Sequence, residues 1–231
     1  MDGAEEMKTL SLVVPVYESP DLARAVLEHL PELEVAATTN GFRLVETVFV
    51  DDGSSSPLAL PAMPGVVALR NEVNRGKGYS VRRGALAAKG DWVLMSDVDL
   101  SAPLGEFAKL APRSSAWMVC GSRYGRPGVP LRRKFLSWLF HLTVRVAGVK
   151  GVHDTQCGFK LFRMDVMRGI FEAQRIERFS FDVELIRNVL RAGGEVAEVP
   201  VEWHGGQRSS LRIFVDAPRM LFDLFKISKG S

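Results

Sequence analysis

The chain has 231 residues, enough to bury a sizeable core as one domain or a tight pair. With 46% hydrophobic and 25% charged residues it has the balance of an ordinary globular protein, which excludes wholesale disorder. A net charge of +3 is too mild to mark nucleic acid as a partner, and none is expected.

No stretch reaches the roughly 20 nearly uncharged apolar residues that cross a bilayer. Met1 to Lys8 is acidic and polar where a secretory leader needs a basic start and an apolar run. The expectation is a soluble or membrane-surface protein. Cys120 and Cys157 have no metal or framework spacing and read as free thiols of a reducing compartment, with one disulfide the alternative.

Leu10 to Val16 is a β-rich run and predicts a buried first strand. It breaks at Tyr17-Glu18-Ser19-Pro20, where Ser19 is placed to cap, and Pro20 to open, a helix running to about Leu30. Arg43 to Val50 predicts a second strand that runs straight into Asp51-Asp52-Gly53-Ser54-Ser55-Ser56. Val66 to Leu69 is a short third strand. Gly76-Lys77-Gly78 then leads into a helix from Gly78 to Lys89 and reads as an anion cradle, since backbone N–H groups, helix dipole and lysine all favour phosphate there. It is not a P-loop, because no Gly-Lys-Ser/Thr follows at the required spacing.

Trp92 to Met95 predicts a fourth strand, ending in Asp97-Val98-Asp99. Two carboxylates one residue apart at a strand end suit a hard divalent cation, Mg²⁺ or Mn²⁺, which takes oxygen ligands and leaves positions for substrate phosphates. Strands alternating with helices predict a mostly parallel, doubly wound α/β sheet, whose ligands bind at the carboxyl ends of the strands. Tyr17-Glu18, Asp51-Asp52 and Asp97 to Asp99 converge on that edge. Any one of them alone reads equally well as a cap or turn, but all three together point to a site.

Ala116 to Gly121 predicts a fifth strand, followed by Ser122-Arg123-Tyr124 and a Gly/Pro-rich loop to Pro130. Leu131 opens a strongly apolar helix whose first turn carries Arg132, Arg133 and Lys134, an unfavourable place for cations unless an anion sits among them. Polar groups from Asp154 to Gln156 precede an extended apolar piece ending at Phe162. A helix follows from Phe181 to about Ala192, closed by Gly193-Gly194, then a strand from Val196 to Val201 and Trp203-His204. Leu211 to Ile227 is apolar enough either to pack as core or to lie in a membrane interface.

The ordered set of motifs resembles the inverting GT-A glycosyltransferases of family 2 that include dolichyl- and polyprenyl-phosphate sugar synthases. The resemblance covers nearly the whole chain. It rests on Val14-Pro15-Val16-Tyr17-Glu18, Val50-Asp51-Asp52-Gly53-Ser54-Ser55, Asn74-Arg75-Gly76-Lys77-Gly78, Asp97-Val98-Asp99 and Gly121-Ser122-Arg123. The segments Asp154 to Phe162 and Phe181-Asp182-Val183-Glu184-Leu185 also match. Asp97 to Pro103 and the segment around Cys157 look most like the dolichyl-phosphate β-glucosyltransferase branch. Arg123 with Arg132, Arg133 and Ser137 also looks like the mannosyl-phosphate branch, in which Ser101 would often be a glutamine metal ligand. The Gln-x-x-Arg-Trp motif of processive polysaccharide synthases is lacking.

The resemblance implies a GT-A fold in a single domain over 1–231, with a nucleotide-sugar half at about 8–121, an acceptor half at about 122–231 and C-terminal amphipathic helices. It implies hexose transfer, with UDP-glucose the expected donor and a polyprenyl phosphate the acceptor, by a protein peripheral to the cytoplasmic membrane face. Asp97 and Asp99 would hold Mg²⁺ or Mn²⁺. Pro15, Tyr17, Glu18, Asp52, Lys77, Asp97 and Arg208 would bind the nucleotide sugar. Arg123, Arg133 and Ser137 would clamp the acceptor phosphate, and Asp99, Arg123, Asp154 and Gln156 form the expected catalytic set. Competing readings are a hydroxyl acceptor with Asp154 as base, a GDP-mannose donor, and a non-catalytic nucleotide-sugar-binding protein.

Overall fold

The structure is a computed structural model that describes residues 6–123, 149 and 151–204. β1 (Lys8–Val16) sends Leu10, Leu12, Val14 and Val16 into one apolar cluster and Val13 into another on the opposite face, as period-2 alternation in a strand covered on both sides requires. β2 (Phe42–Asp51), β4 (Trp92–Ser96), β5 (Met118–Ser122) and β6 (Phe159–Arg163) are covered on both faces in the same way. With β3 (Val66–Arg70) and β7 (Val196–Pro200) at the edges they form one seven-stranded sheet of order β3-β2-β1-β4-β6-β5-β7.

Helices cover both faces, as expected for a doubly wound sheet. α1 (Pro20–Glu28), α2 (Leu30–Thr39) and the short α4 (Phe107–Leu110) pack with Phe42, Phe49 and Phe159. α3 (Lys77–Ala87), α5 (Met164–Ala173) and α6 (Phe181–Arg191) pack with Val13, Val50, Met95 and Phe162. Each fully buried Val, Leu or Phe contributes roughly 1.5–3 kcal/mol. An exposed pair such as Arg24–Asp21 contributes at most about 1 kcal/mol, so the two apolar layers hold the fold.

The pairings β1·β2, β1·β4, β2·β3 and β5·β7 are parallel. β6 alone is reversed, antiparallel to both β4 and β5. This reversal positions the site. Phe159, the first residue of β6, lies beside Ser96, the last of β4, so the polar segment before β6 arrives at the carboxyl edge of the parallel strands.

Differences from the sequence reading are local. The first helix stops at Glu28, and α2 starts at Leu30 with Pro31 in its first turn. Ser19 occupies the N-cap position without capping, because its hydroxyl donates to the Tyr17 carbonyl. α2, α4 and α5 were not expected. α6 ends as expected: the Gly194 N–H donates to the Val189 carbonyl and the Gly193 N–H to the Leu190 carbonyl, with Gly193 at φ 76°. Both cysteines are buried free thiols, and burial pushes each up to about 12. The basic turn with Arg132, Arg133, Lys134 and Ser137, and the segment with Arg208 and Leu211 to Ile227, lie outside the described residues. Among the described residues no helix is long and apolar enough to cross a membrane.

Candidate active site

Three parallel strands, β1, β2 and β4, end at one edge and deliver Tyr17-Glu18, Asp51-Asp52 and Asp97 to Asp99 there. Tyr17 is half exposed just past β1, and Pro15 is the partly buried penultimate residue of that strand. The other acidic groups divide into those that build loops and those that face solvent.

Asp51 and Asp52 are buried loop builders. Asp51 accepts from the Ser54 and Leu58 N–H groups at 2.9 and 3.1 Å and from the Arg70 guanidinium. Burial opposes its ionisation, but these hydrogen bonds outweigh burial and hold its carboxyl below the usual carboxylate range. Asp52 accepts from Asn71 Nδ2 and from the N–H groups of Arg75 and Gly76, at 2.7 to 3.0 Å. Glu18 takes the Ser55 N–H at 2.7 Å and the Ser55 hydroxyl at 2.9 Å. These three carboxylates therefore shape the loops at the edge.

The Gly-Lys-Gly entrance to α3 is not the open anion cradle its sequence suggests. The Gly76 N–H is taken by Asp52 and the Tyr79 N–H by the Glu177 carbonyl. The glycines serve close packing. A Cβ on Gly76 would come within 2.6 Å of the Glu177 carbonyl oxygen, and one on Gly78 within 2.6 Å of Phe181 Cβ. What does face the site is Lys77, whose Nζ lies 2.5 Å from Asp97 Oδ1.

Asp97 and Asp99 share a tight turn. The Leu100 N–H donates to the Asp97 carbonyl at 3.1 Å, and Asp99 Oδ1 accepts the Ser101 N–H at 3.0 Å. Leu100 sits at φ 47°, a left-handed conformation costly for leucine and typical of functional turns. The Asp97 N–H donates to the Gly158 carbonyl at 3.0 Å, and its carboxylate lies directly over Gly158, where an added Cβ would come 1.8 Å from Oδ2. Gly158 is thus required by the position of Asp97.

On the other side of the edge, Arg123 follows β5 and meets Asp154 on the segment before β6. Arg123 Nε donates to Asp154 Oδ2 at 2.7 Å and a terminal guanidinium nitrogen to Oδ1 at 2.8 Å, while the Arg123 N–H also reaches Oδ2 at 2.8 Å. Burial opposes both charges. The pairing outweighs it, holding Asp154 below the usual carboxylate range and raising Arg123 further. The Arg123 guanidinium carbon lies 5.0 Å from the Trp203 ring centre, a cation–π contact. Next along, Gln156 Nε2 and Thr155 Oγ1 are buried with no hydrogen-bond partner among the described residues.

Beneath the turn lies a fully buried ion pair. Lys160 Nζ, from β6, is 2.7 Å from an Asp182 carboxylate oxygen at the start of α6, and also donates to the Cys157 carbonyl. Burial disfavours the ammonium, but Asp182 overcomes this and keeps Lys160 protonated. Asp182 also feels the fields of Lys77 and Asp97. A lysine in an apolar strand run is the signal that could have exposed this pair.

The structure thus brings Lys77 to Asp97, sets Asp99 in the same turn, and pairs Arg123 with Asp154. Residues 11–171 match the profile of glycosyl transferase family 2. This chain belongs to that family. It is a glycosyltransferase. Similar curated proteins are the dolichyl-phosphate beta-glucosyltransferases of Trichomonas vaginalis (35% identical over 94% of this chain and 70% of the relative), mouse (34%, 95% and 75%) and human (32%, 95% and 75%). Solved structures with a similar fold include mannosyl-3-phosphoglycerate synthase from Rubrobacter xylanophilus, at TM-score 0.68 and 18% identity over 95% of this chain and 72% of that one. Glucosyl-3-phosphoglycerate synthase from Mycobacterium tuberculosis, in complex with Mn²⁺, UDP-glucose and phosphoglyceric acid, superposes at TM-score 0.67 and 17% identity over 96% and 79%. The family 2 enzyme described here therefore has the GT-A fold.

Proposed function

We propose that this glycosyltransferase moves glucose from UDP-glucose to dolichyl phosphate or a related polyprenyl phosphate, with inversion at the anomeric carbon, at the cytoplasmic face of a membrane. The names of its curated relatives support both the sugar and the acceptor.

The observation that carries the reading is the Arg123–Asp154 pair. A hydroxyl acceptor needs a base to take its proton. Asp154, the candidate base, has both oxygens committed to Arg123 and an ionisation pulled down rather than up, so it is poorly suited to that task. A phosphate monoester, with a second pKa of about 6, is already largely dianionic at neutral pH and needs positive charge instead. Arg123 uses Nε and one terminal nitrogen on Asp154 and keeps further N–H donors for phosphate oxygens. Gln156, with its buried amide nitrogen unpartnered, is suited to donate to the substrate.

The metal site fits the residues present. Asp97 and Asp99 are hard oxygen donors, the first partly buried and the second exposed, and Asp97 Oδ1 already attracts the Lys77 ammonium. Bound there, Mg²⁺ or Mn²⁺ would neutralise charge growing on the departing diphosphate. Lys77 adds a second positive charge beside the diphosphate. Tyr17, Glu18 and Pro15 border the nucleotide end, and Asp52 acts there through the loop it fastens. An oxygen of the acceptor phosphate attacks the anomeric carbon, the bond to UDP breaks, and no proton is transferred.

The test offers polyprenyl phosphate together with UDP-glucose, UDP-galactose or GDP-mannose, with Mg²⁺ or Mn²⁺ and after chelation. Proton NMR then assigns the anomer formed. Metal-dependent transfer from UDP-glucose giving the β product is expected. A preference for GDP-mannose, an α product or full activity under chelation would overturn the corresponding part.

A further inference from the structure

We infer that Glu198 is a positioning residue for the acceptor-phosphate clamp, an inference that rests on the role given above to Arg123 and Asp154. Glu198 stands midway along β7, opposite Cys120 of β5. Its carboxylate meets four donors. Oε1 accepts the Ser122 hydroxyl at 2.7 Å and the Asp154 N–H at 2.8 Å. Oε2 accepts the His153 N–H at 2.9 Å and lies 3.0 Å from His153 Nδ1, which donates in the tautomer that carries its proton there.

The pattern of donors gives Glu198 its role. Ser122 immediately precedes Arg123, and His153 and Asp154 carry the other half of the clamp. One carboxylate therefore binds both arms at their roots, and Arg123 and Asp154 then close on each other with three hydrogen bonds. Burial opposes the Glu198 charge, but the donors outweigh it and hold its carboxyl below the usual range. An ionised carboxylate accepts all four donors, whereas an amide in its place keeps one acceptor oxygen and turns N–H groups toward the rest. The segment from His153 to Gln156 is short and lies against the sheet edge, so its register depends on this anchor. Errors of about 1 Å in such a clamp are enough to cost up to a hundredfold in rate.

The experiment is steady-state kinetics of the full chain carrying Glu198→Gln, with polyprenyl phosphate and UDP-glucose varied separately and the thermal midpoint measured alongside. Glu198→Gln is expected to raise the acceptor KM or lower kcat at least about tenfold, by misplacing a charge-assisted clamp. The donor KM should stay near wild type, while the thermal midpoint falls by a few degrees as the four-donor carboxylate is weakened. Unchanged acceptor kinetics would overturn the inference, as would an equal rise in the donor KM, which marks a merely structural role. Ser122→Ala, which removes a single donor, provides the same readout should Glu198→Gln not fold; an acceptor KM a few-fold higher supports the inference and an unchanged one overturns it. If Arg123→Ala leaves the acceptor KM untouched, the clamp reading itself fails. If Arg123→Ala raises it and Glu198→Gln does not, only the role of Glu198 falls.

Discussion

Lys77 Nζ lies 2.5 Å from Asp97 Oδ1, so the first carboxylate of the Asp-x-Asp pair already holds a cation supplied by the chain. A divalent ion and the lysine compete for that oxygen until a diphosphate draws the lysine away. Lys77→Met should therefore tighten binding of Mn²⁺ alone about fivefold, the size of a partly exposed ion pair worth roughly 1 kcal/mol. The same variant should weaken UDP binding. Titration calorimetry with Mn²⁺ and with UDP reads both, and weaker Mn²⁺ binding in the variant would refute the competition.

Asp99 can be probed without disturbing its turn. Its Oδ1 accepts the Ser101 N–H, and an asparagine carbonyl can keep that bond while losing the charge. Asp99→Asn is expected to retain the thermal midpoint and lose about a hundredfold or more in kcat with metal present. Wild-type turnover would remove Asp99 from the site.

Gly158 lies just before β6, and its lack of a side chain makes room for Asp97. Gly158→Ala would place a methyl 1.8 Å from Asp97 Oδ2, so the carboxylate must move. The expectation is a drop of at least about tenfold in kcat, with destabilisation of about 1–3 kcal/mol by overpacking. Denaturant unfolding and turnover measured together test it, and a fully active, fully stable alanine variant would contradict the packing described.

Much of the edge was legible because strand ends coincide with polar motifs: Asp51, Asp97 and Arg123 all follow apolar runs that did become strands. Strand direction was not legible. The apolar pattern of Phe159 to Phe162 is the same whichever way the strand runs, so the reversal that brings Asp154 to the site is visible only in the pairing. Asp52 reads from sequence as a ligand-binding carboxylate, and sequence cannot show that it also accepts from three protein donors, one of them Gly76. Gly-Lys-Gly misled for a related reason: a glycine needed for an approach from the 176–178 segment looks the same as one needed for phosphate. Glu198 gave no signal at all, since its partners lie 44 to 76 positions away.

Acid should loosen the edge through Asp51. Its folded pKa is lowered from the 3.8 expected of a free carboxyl, so the unfolded chain takes up the proton first as pH falls. The stabilisation is complete at neutral pH, holds down to roughly one unit above the unfolded value, and is lost as pH drops through the folded value. Asp51→Asn should lower the thermal midpoint by roughly 5 °C at pH 7, for a loss of 1–2 kcal/mol. That gap should shrink below about pH 4. Scanning calorimetry at pH 7, 5 and 3.5 checks this, and a gap that widens in acid would contradict the sign.

The most direct test of the account compares transfer of labelled glucose from UDP-glucose to a short polyprenyl phosphate and to the corresponding alcohol, using the wild type and Asp154→Asn. The account predicts transfer to the phosphate alone. Asp154→Asn should raise the acceptor KM as the grip on Arg123 loosens, without the kcat collapse that follows loss of a base. Transfer to the alcohol that disappears in Asp154→Asn would make Asp154 a base and contradict the lipid-phosphate reading.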